Sequence, residues 1–208
     1  MADLLTSLPP RQKSTPARRV SLDAYFKAEE KSLHKHEYHN GTIKAMAGAK
    51  LPHNILATKV GTLMNIFIEE NDLAYLVSNS DTKIRIEAVD KVVYPDAVVI
   101  CDVPVYYKNR RDTITNPLIV VEVLSPSTED HDRTLKFEYY RTLPSFQEYV
   151  LVHQERQHVS VFTRQPDATW LLRDYDGDDS TAILYALHNC PVSLKRLYRG
   201  LTTGQISE

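Results

Sequence analysis

Cysteine is scarce in this 208-residue chain, with only Cys101 and Cys190. The two stand at no metal-ligand spacing, and so few thiols in a chain this long point to a reduced protein, not a disulfide scaffold. Glycine is also sparse, at six, and none builds a phosphate-cradling loop or a GxSxG elbow. The HExxH and CxxC patterns are absent, which disfavours zinc. Charge of one sign is missing too: 25 Lys and Arg against 27 Asp and Glu leave a net charge of −2. A nucleic-acid partner would have to be met by a local basic groove, because no global field would attract it. No apolar run approaches the ~18 residues of a membrane span. No hydrophobic stretch follows Arg18 and Arg19, so no secretory signal is expected; the scarcity of thiols makes the expected location cytoplasmic.

What is present reads as one domain over residues 20–208 behind a tail, 1–19, rich in Pro, Ser and Arg. Ser21 caps a short helix. Asn40-Gly41 between two short runs marks a hairpin. Pro52 opens a long helix with Ile55, Leu56, Val60, Leu63, Met64 and Phe67 on one face. Strands are expected at 74–79 and at 82–88, the second with one solvated face because Ile84 and Ile86 alternate with charged residues. A third strand covers 92–101, irregular near Pro95. Residues 102–116 read as an exposed loop with Lys108, Arg110 and Arg111 beside Tyr106 and Tyr107. Strand 118–124, a helix from about 129 to 142 and strand 146–153 make a βαβ unit, expected to be parallel. Strand-like runs 158–164, 170–175 and 182–187 and a short helix near 193–200 form a β extension.

The chemistry concentrates in acids set within apolar runs. Asp96 and Glu122 each stand as the single acid of a strand-like segment, and a lone buried carboxylate needs a partner. If the strands are neighbours, the carboxylates converge, and hard oxygen ligands of this kind suit Mg²⁺ or Mn²⁺. Asp132, Lys136 and Tyr140, spaced by four, share a helix face. An ammonium there could orient a water and stabilise charge on a phosphate. By spacing alone, bland readings stand beside these. Asp96 reads equally as a turn acid, Glu122 as the partner of an arginine, Lys136 as a solvated helix lysine paired with Asp132, and Glu37 as a surface strand residue. His53, at a helix start, reads as structural or as an anion contact. Ser125 and Ser127 read as turn and cap residues.

The segments YPDAVVICD, LIVVEVLSPSTEDHDRTLKFEYYR and LPSFQEYVLVHQERQHVSVFTR, with HEYHNGTIKAMAG before them, resemble the bacterial Uma-type restriction endonuclease family of the PD-(D/E)xK nuclease superfamily. The resemblance covers roughly residues 20–200. It implies a restriction endonuclease-like fold, a central mixed sheet flanked by helices, and a metal-dependent endonuclease acting on DNA. It makes Asp96 and Glu122 the Mg²⁺ or Mn²⁺ ligands and Glu37 the N-terminal acid of the catalytic set. The superfamily lysine, two residues after the second acid, is Leu124 here, so the resemblance passes that role to Lys136. Asp132 and Tyr140 then stand behind Lys136, with His53 nearby. Lys108, Arg110 and Arg111 are the expected backbone contacts to DNA, and a homodimer would suit double-strand cutting. The rival readings are a nuclease-fold domain that binds nucleic acid or protein without cleaving, and a small-molecule hydrolase on the same metal site.

Overall fold

The computed structural model describes residues 19–126 and 132–201. Most of the expected tail, Ser127 and the first residues of the helix expected from 129 lie outside them. Ser21 Oγ accepts from Ala24 N–H at 3.2 Å and starts α1 (Leu22–Glu29). Strands β1 (His36–His39) and β2 (Thr42–Ala45) meet at Asn40 and Gly41, whose φ angles of 45° and 89° supply the left-handed pair that a tight hairpin needs. Pro52 lies in the first turn of α2 (Leu51–Glu70), which buries Leu56, Val60, Met64 and Ile68 at steps of four. The chain continues through β3 (Tyr75–Asn79), β4 (Lys83–Ile86), β5 (Lys91–Val93), β6 (Ala97–Cys101), β7 (Tyr106–Tyr107), β8 (Arg110–Ile114) and β9 (Pro117–Leu124). A π-type turn, Asp132–Lys136, runs into α3 (Phe137–Tyr140). Then come β10 (Glu148–His153), β11 (His158–Arg164), β12 (Trp170–Asp176), β13 (Thr181–Leu184), β14 (Cys190–Ser193) and α4 (Leu194–Tyr198).

These strands form two six-stranded sheets, β2-β1-β5-β4-β8-β7 and β12-β11-β10-β9-β6-β3, and the hairpin β13-β14. In the second sheet β9 and β10 are parallel, as the βαβ reading expects, and their neighbours are antiparallel. Alternation along β9 divides the core. Ile119, Val121 and Val123 pack with Leu56, Val60 and Met64 of α2 and with residues of β14 and α4. Val120 and Leu124 face the other way, toward Ile84 and Ile86 of the first sheet and Tyr140, Phe146 and Tyr149. Each such side chain contributes about 1.5–3 kcal/mol on burial. Glu122 has the parity of Val120 and Leu124, so it points between the two sheets, under α3.

Four expectations need correction. The run 92–101 is two strands in different sheets, because Pro95 cannot join a ladder and the chain crosses over there. Strand β4 has no solvated face: Lys83 and Arg85 are buried too. Lys83 pairs with Asp112 at 2.6 Å, and Arg85 with Asp90 at 2.7 Å. Residues 102–116 are not a loop. They contain the β7–β8 hairpin, turned on Lys108 and Asn109 at φ 46° and 64°, and Thr113 and Ile114 are buried. The strand expected over 182–187 ends at Leu184 and continues as a 3₁₀ turn, Tyr185–Leu187.

That last turn has a specific cause. Glu148 Oε1 accepts from Tyr185 N–H at 2.8 Å and from Thr163 Oγ1–H at 2.8 Å, and Oε2 accepts from Ala186 N–H at 3.1 Å. The carboxylate thereby fastens the C-terminal hairpin to the central sheet. Glu148→Ala would leave buried donors unsatisfied and should cost about 2–4 kcal/mol in chemical denaturation. Glu148→Gln, which keeps one carbonyl oxygen, should cost less. Equal, near-zero losses for both would remove this account of the turn.

Candidate active site

The π-type turn carries Asp132 and Lys136 inward over β9. Tyr149 O–H donates to the Asp132 carbonyl at 2.9 Å and pins the turn to the sheet. Lys136 Nζ then lies 3.0 Å from Glu122 Oε2 and 3.2 Å from Asp132 Oδ1, and Tyr140 O–H donates to Glu122 Oε1 at 2.9 Å. Asp132, Lys136, Tyr140 and Glu122 are all buried. The surface-lysine reading of Lys136 and the arginine-partner reading of Glu122 therefore both fall: each is the other's partner.

Asp96 approaches from the neighbouring strand. Ala97 pairs with Val121 across β6 and β9, so the register carried one residue further sets Asp96 against Glu122. Asp96 stands just before β6, its N–H still bonded to the Val121 carbonyl at 3.1 Å. Its Oδ2 accepts from Val123 N–H at 2.7 Å and lies 3.2 Å from His53 Nε2 in the first turn of α2. Among the described residues no protein donor reaches Oδ1. Glu37 comes from the other sheet. Its Oε2 lies 2.9 Å from His39 Nε2, and Oε1 accepts a long 3.4 Å bond from Tyr94 N–H. It is only 4% exposed, so the surface reading of Glu37 fails as well.

The electrostatics follow from this crowding. Burial pushes Glu122 well above the usual carboxylate range; Lys136 pulls against that, and Asp132 and Asp96 add to it. Burial also works against the charge of Lys136, but Glu122, Asp132, Glu37 and Asp96 outweigh it and hold the ammonium protonated. Glu37 is held below its usual value: burial opposes, while the His39 hydrogen bond and the Lys136 charge prevail. His53 is raised, with burial opposed by its bond to Asp96 and that residue's charge. Four carboxylates thus gather around one lysine, and the pocket holds more negative than positive groups.

The expected DNA contacts lie elsewhere. Lys108, Arg110 and Arg111 sit on the β7–β8 hairpin, at the sheet edge away from β1 and Glu37. Arg110 pairs with Glu30 at 2.6 Å and covers the Phe26 ring, and Lys108 lies over Tyr107. Nearer the acids, the sequence reading passed over His39, Lys91, His153 and Arg133. His39 carried a usable signal, because it is two residues from Glu37 and so shares its strand face. A groove of about 560 Å³ between α2 and β3, lined by Asn54, Thr58, Thr62, Asn65 and Ser78, also reaches Asp96. Among the described residues no group of three or more His, Cys, Asp or Glu is arranged to hold a metal by itself, and no helix is long and apolar enough to cross a membrane.

Comparison with known proteins bears on this arrangement. An uncharacterized protein of Synechocystis (slr1290) is 34% identical over 190 residues, spanning 90% of this chain and 96% of that one. A second, sll1609 of the same organism, is 34% identical over 156 residues, covering 75% of this chain and 87% of its own length. The crystal structure of a protein from Anabaena variabilis, titled a "putative nuclease belonging to DUF820", superposes with a TM-score of 0.66 at 16% identity, over 86% of this chain and 97% of that one. At that identity the likeness concerns the fold, which is mixed α+β and restriction endonuclease-like. Residues 22–193 match the Uma2 family model, described as "Putative restriction endonuclease", and the chain belongs to that family.

Proposed function

We propose that this chain is a metal-dependent nuclease that hydrolyses phosphodiester bonds of DNA, with Glu37, Asp96, Glu122 and Lys136 as its working residues. The observation that carries the reading is the 3.0 Å approach of Lys136 Nζ to Glu122 Oε2. It puts a charged lysine beside the second acid, although the strand itself offers Leu124 in that place. The donor set fits a divalent cation. Asp96 and Glu122 are hard oxygen ligands, the pocket carries excess negative charge, and Mg²⁺ completes its shell with waters and substrate oxygens instead of an all-protein cage. Bound there, Mg²⁺ or Mn²⁺ would supply Lewis-acid charge to the phosphate.

The chain's own residues do the rest. Lys136 places a fixed positive charge where phosphate oxygens gain negative charge. Asp132 aims that ammonium, Tyr140 keeps Glu122 from turning, and His53 holds Asp96 by Oδ2. A patch for the DNA backbone lies on the same face of the sheet. His153 stands opposite Leu124 in the parallel pair, two residues beyond the Leu151–Glu122 match. Arg133 Nη2 lies 3.2 Å and Arg156 Nη2 3.4 Å from His153 Nε2. Burial first, then Arg156, His158 and Arg133, push His153 down to about 4, so it takes no positive charge of its own at neutral pH. Two guanidinium groups therefore gather at one spot beside the acids, with Lys108 and Arg111 as outer contacts.

One observation favours a second reading, a nuclease-fold domain that binds without cleaving. Both Glu122 oxygens already have protein partners, Lys136 and Tyr140. Plasmid and branched DNA incubated with Mg²⁺ or Mn²⁺ separate the two. The nuclease reading expects cutting by wild type and a loss of about 100-fold or more in Asp96→Asn, Glu122→Gln and Lys136→Met. Undiminished cutting in all three would overturn the site, and a wild type that neither cuts nor binds the cation would favour the second reading. DNA affinity measured against salt, with Ca²⁺ in place of Mg²⁺, checks the patch. Arg133→Gln and Arg156→Gln should each flatten the log–log slope by about 1. Unchanged slopes in both would place the DNA elsewhere.

A further inference from the structure

Behind Glu37 runs a chain of contacts that the proposed chemistry does not use. His39 and Lys91 face each other across β1 and β5. Lys91 Nζ lies 2.9 Å from His39 Nδ1, and His39 Nε2 lies 2.9 Å from Glu37 Oε2. The same ammonium sits 4.1 Å from the centre of the Tyr139 ring, and that ring meets His39 edge-on at 6.4 Å. Tyr139 belongs to α3, one residue before Tyr140 and three after Lys136. The contacts therefore close a loop. Glu37, His39 and Lys91 come from the first sheet, and Tyr139, Lys136 and Tyr140 come from the segment that crosses the second.

The chemistry of these groups gives the loop a direction. An ammonium has donors and no acceptor, so His39 Nδ1 must be the acceptor of the Lys91 bond. The ring proton then belongs on Nε2, where it donates to Glu37. Without such a donor Glu37 would have reason to leave: Asp96, Asp132 and Glu122 lie around the same lysine, and like charges repel. Its remaining tie, the 3.4 Å bond from Tyr94 N–H, is long.

We propose that His39 and Lys91 are positioning residues: Lys91, seated on Tyr139, holds the His39 ring through Nδ1, and His39 holds Glu37 at the Lys136 side of the site. The proposal rests on the nuclease reading for its consequence, and on geometry alone for the arrangement. It also gives Tyr139 a task, since the ring fixes the ammonium relative to the helix that carries Lys136.

The test uses the full chain and has two arms. Nitrogen-15 NMR of the imidazole of His39 should show the Nε2–H tautomer in wild type and in Lys91→Arg, which keeps a donor. In Lys91→Met the Glu37 carboxylate still takes the Nε2 proton, but the Nδ1 resonance should shift clearly because it loses its donor. In the activity arm, with Mg²⁺ and plasmid DNA, Lys91→Met and His39→Leu should lower kcat by about 10–100-fold with little change in KM, and Lys91→Arg should restore most of it. Thermal melts run alongside show that each variant is folded. A His39 Nδ1 resonance that ignores Lys91→Met would overturn the proposal, as would folded variants with unchanged kcat. The NMR arm needs no turnover, so a wild type that never cuts DNA but whose Nδ1 resonance responds to Lys91→Met would remove the nuclease reading and leave the positioning of Glu37 intact.

Discussion

Glu122 and Lys136 meet between two β-sheets, where neither charge could stay alone. Removing one partner from such a pair costs about 3–5 kcal/mol, yet the pair itself adds little to stability compared with apolar side chains of the same volume. A pair like this is poor value as a staple, and here it is surrounded by three more acids. Much of the architecture serves it. The parallel β9–β10 pair requires a crossover, the crossover carries the π-type turn, and the turn brings Asp132 and Lys136 down onto Glu122. A π-type turn widens the backbone ring, and turns of this kind are often found at functional sites. Tyr149 and Tyr140, both fully buried, fix the turn and the acid from two sides.

The second constraint is that the acids come from separate parts of the fold. Pro95 ends β5 in one sheet and lets β6 begin in the other, and Asp96 sits at that crossing. Glu37 arrives on β1, through the first sheet. The site is therefore assembled only when the two sheets pack, and the apolar contacts of Ile84, Ile86 and Val93 with Val120 and Leu124 determine the distance between Glu37 and Glu122. The His39–Lys91–Tyr139 contacts tie the same interface by polar means.

Much of this was readable from the residues. The spacing of Asp132, Lys136 and Tyr140 announced a shared face, and the isolation of Glu122 in an apolar run announced a need for a partner. The hairpin at Asn40-Gly41 and the stripe on α2 followed from local rules. What escaped depended on tertiary packing. The polar half of β4 looked solvated because period-two alternation cannot distinguish water from Asp112, Asp90 and the Tyr94 and Tyr107 rings. The β7–β8 hairpin was hidden by its charged composition, and its turn used Lys108-Asn109 where Asn-Gly would have been recognisable. The partner of Glu122 was expected to be a cation shared with Asp96; its direct partners in the structure are Lys136 and Tyr140. His39 escaped because its cross-strand neighbour, Lys91, is distant in sequence.

The proposed sharing of one divalent cation by Asp96 and Glu122 beside Lys136 can be seen in crystals of the full chain soaked in Mn²⁺ and measured at the manganese absorption edge. An anomalous peak is expected between the Asp96 and Glu122 carboxylates, with the Lys136 ammonium nearby, and should be lost in Asp96→Asn. Anomalous density only elsewhere, or none at saturating Mn²⁺, would contradict that sharing.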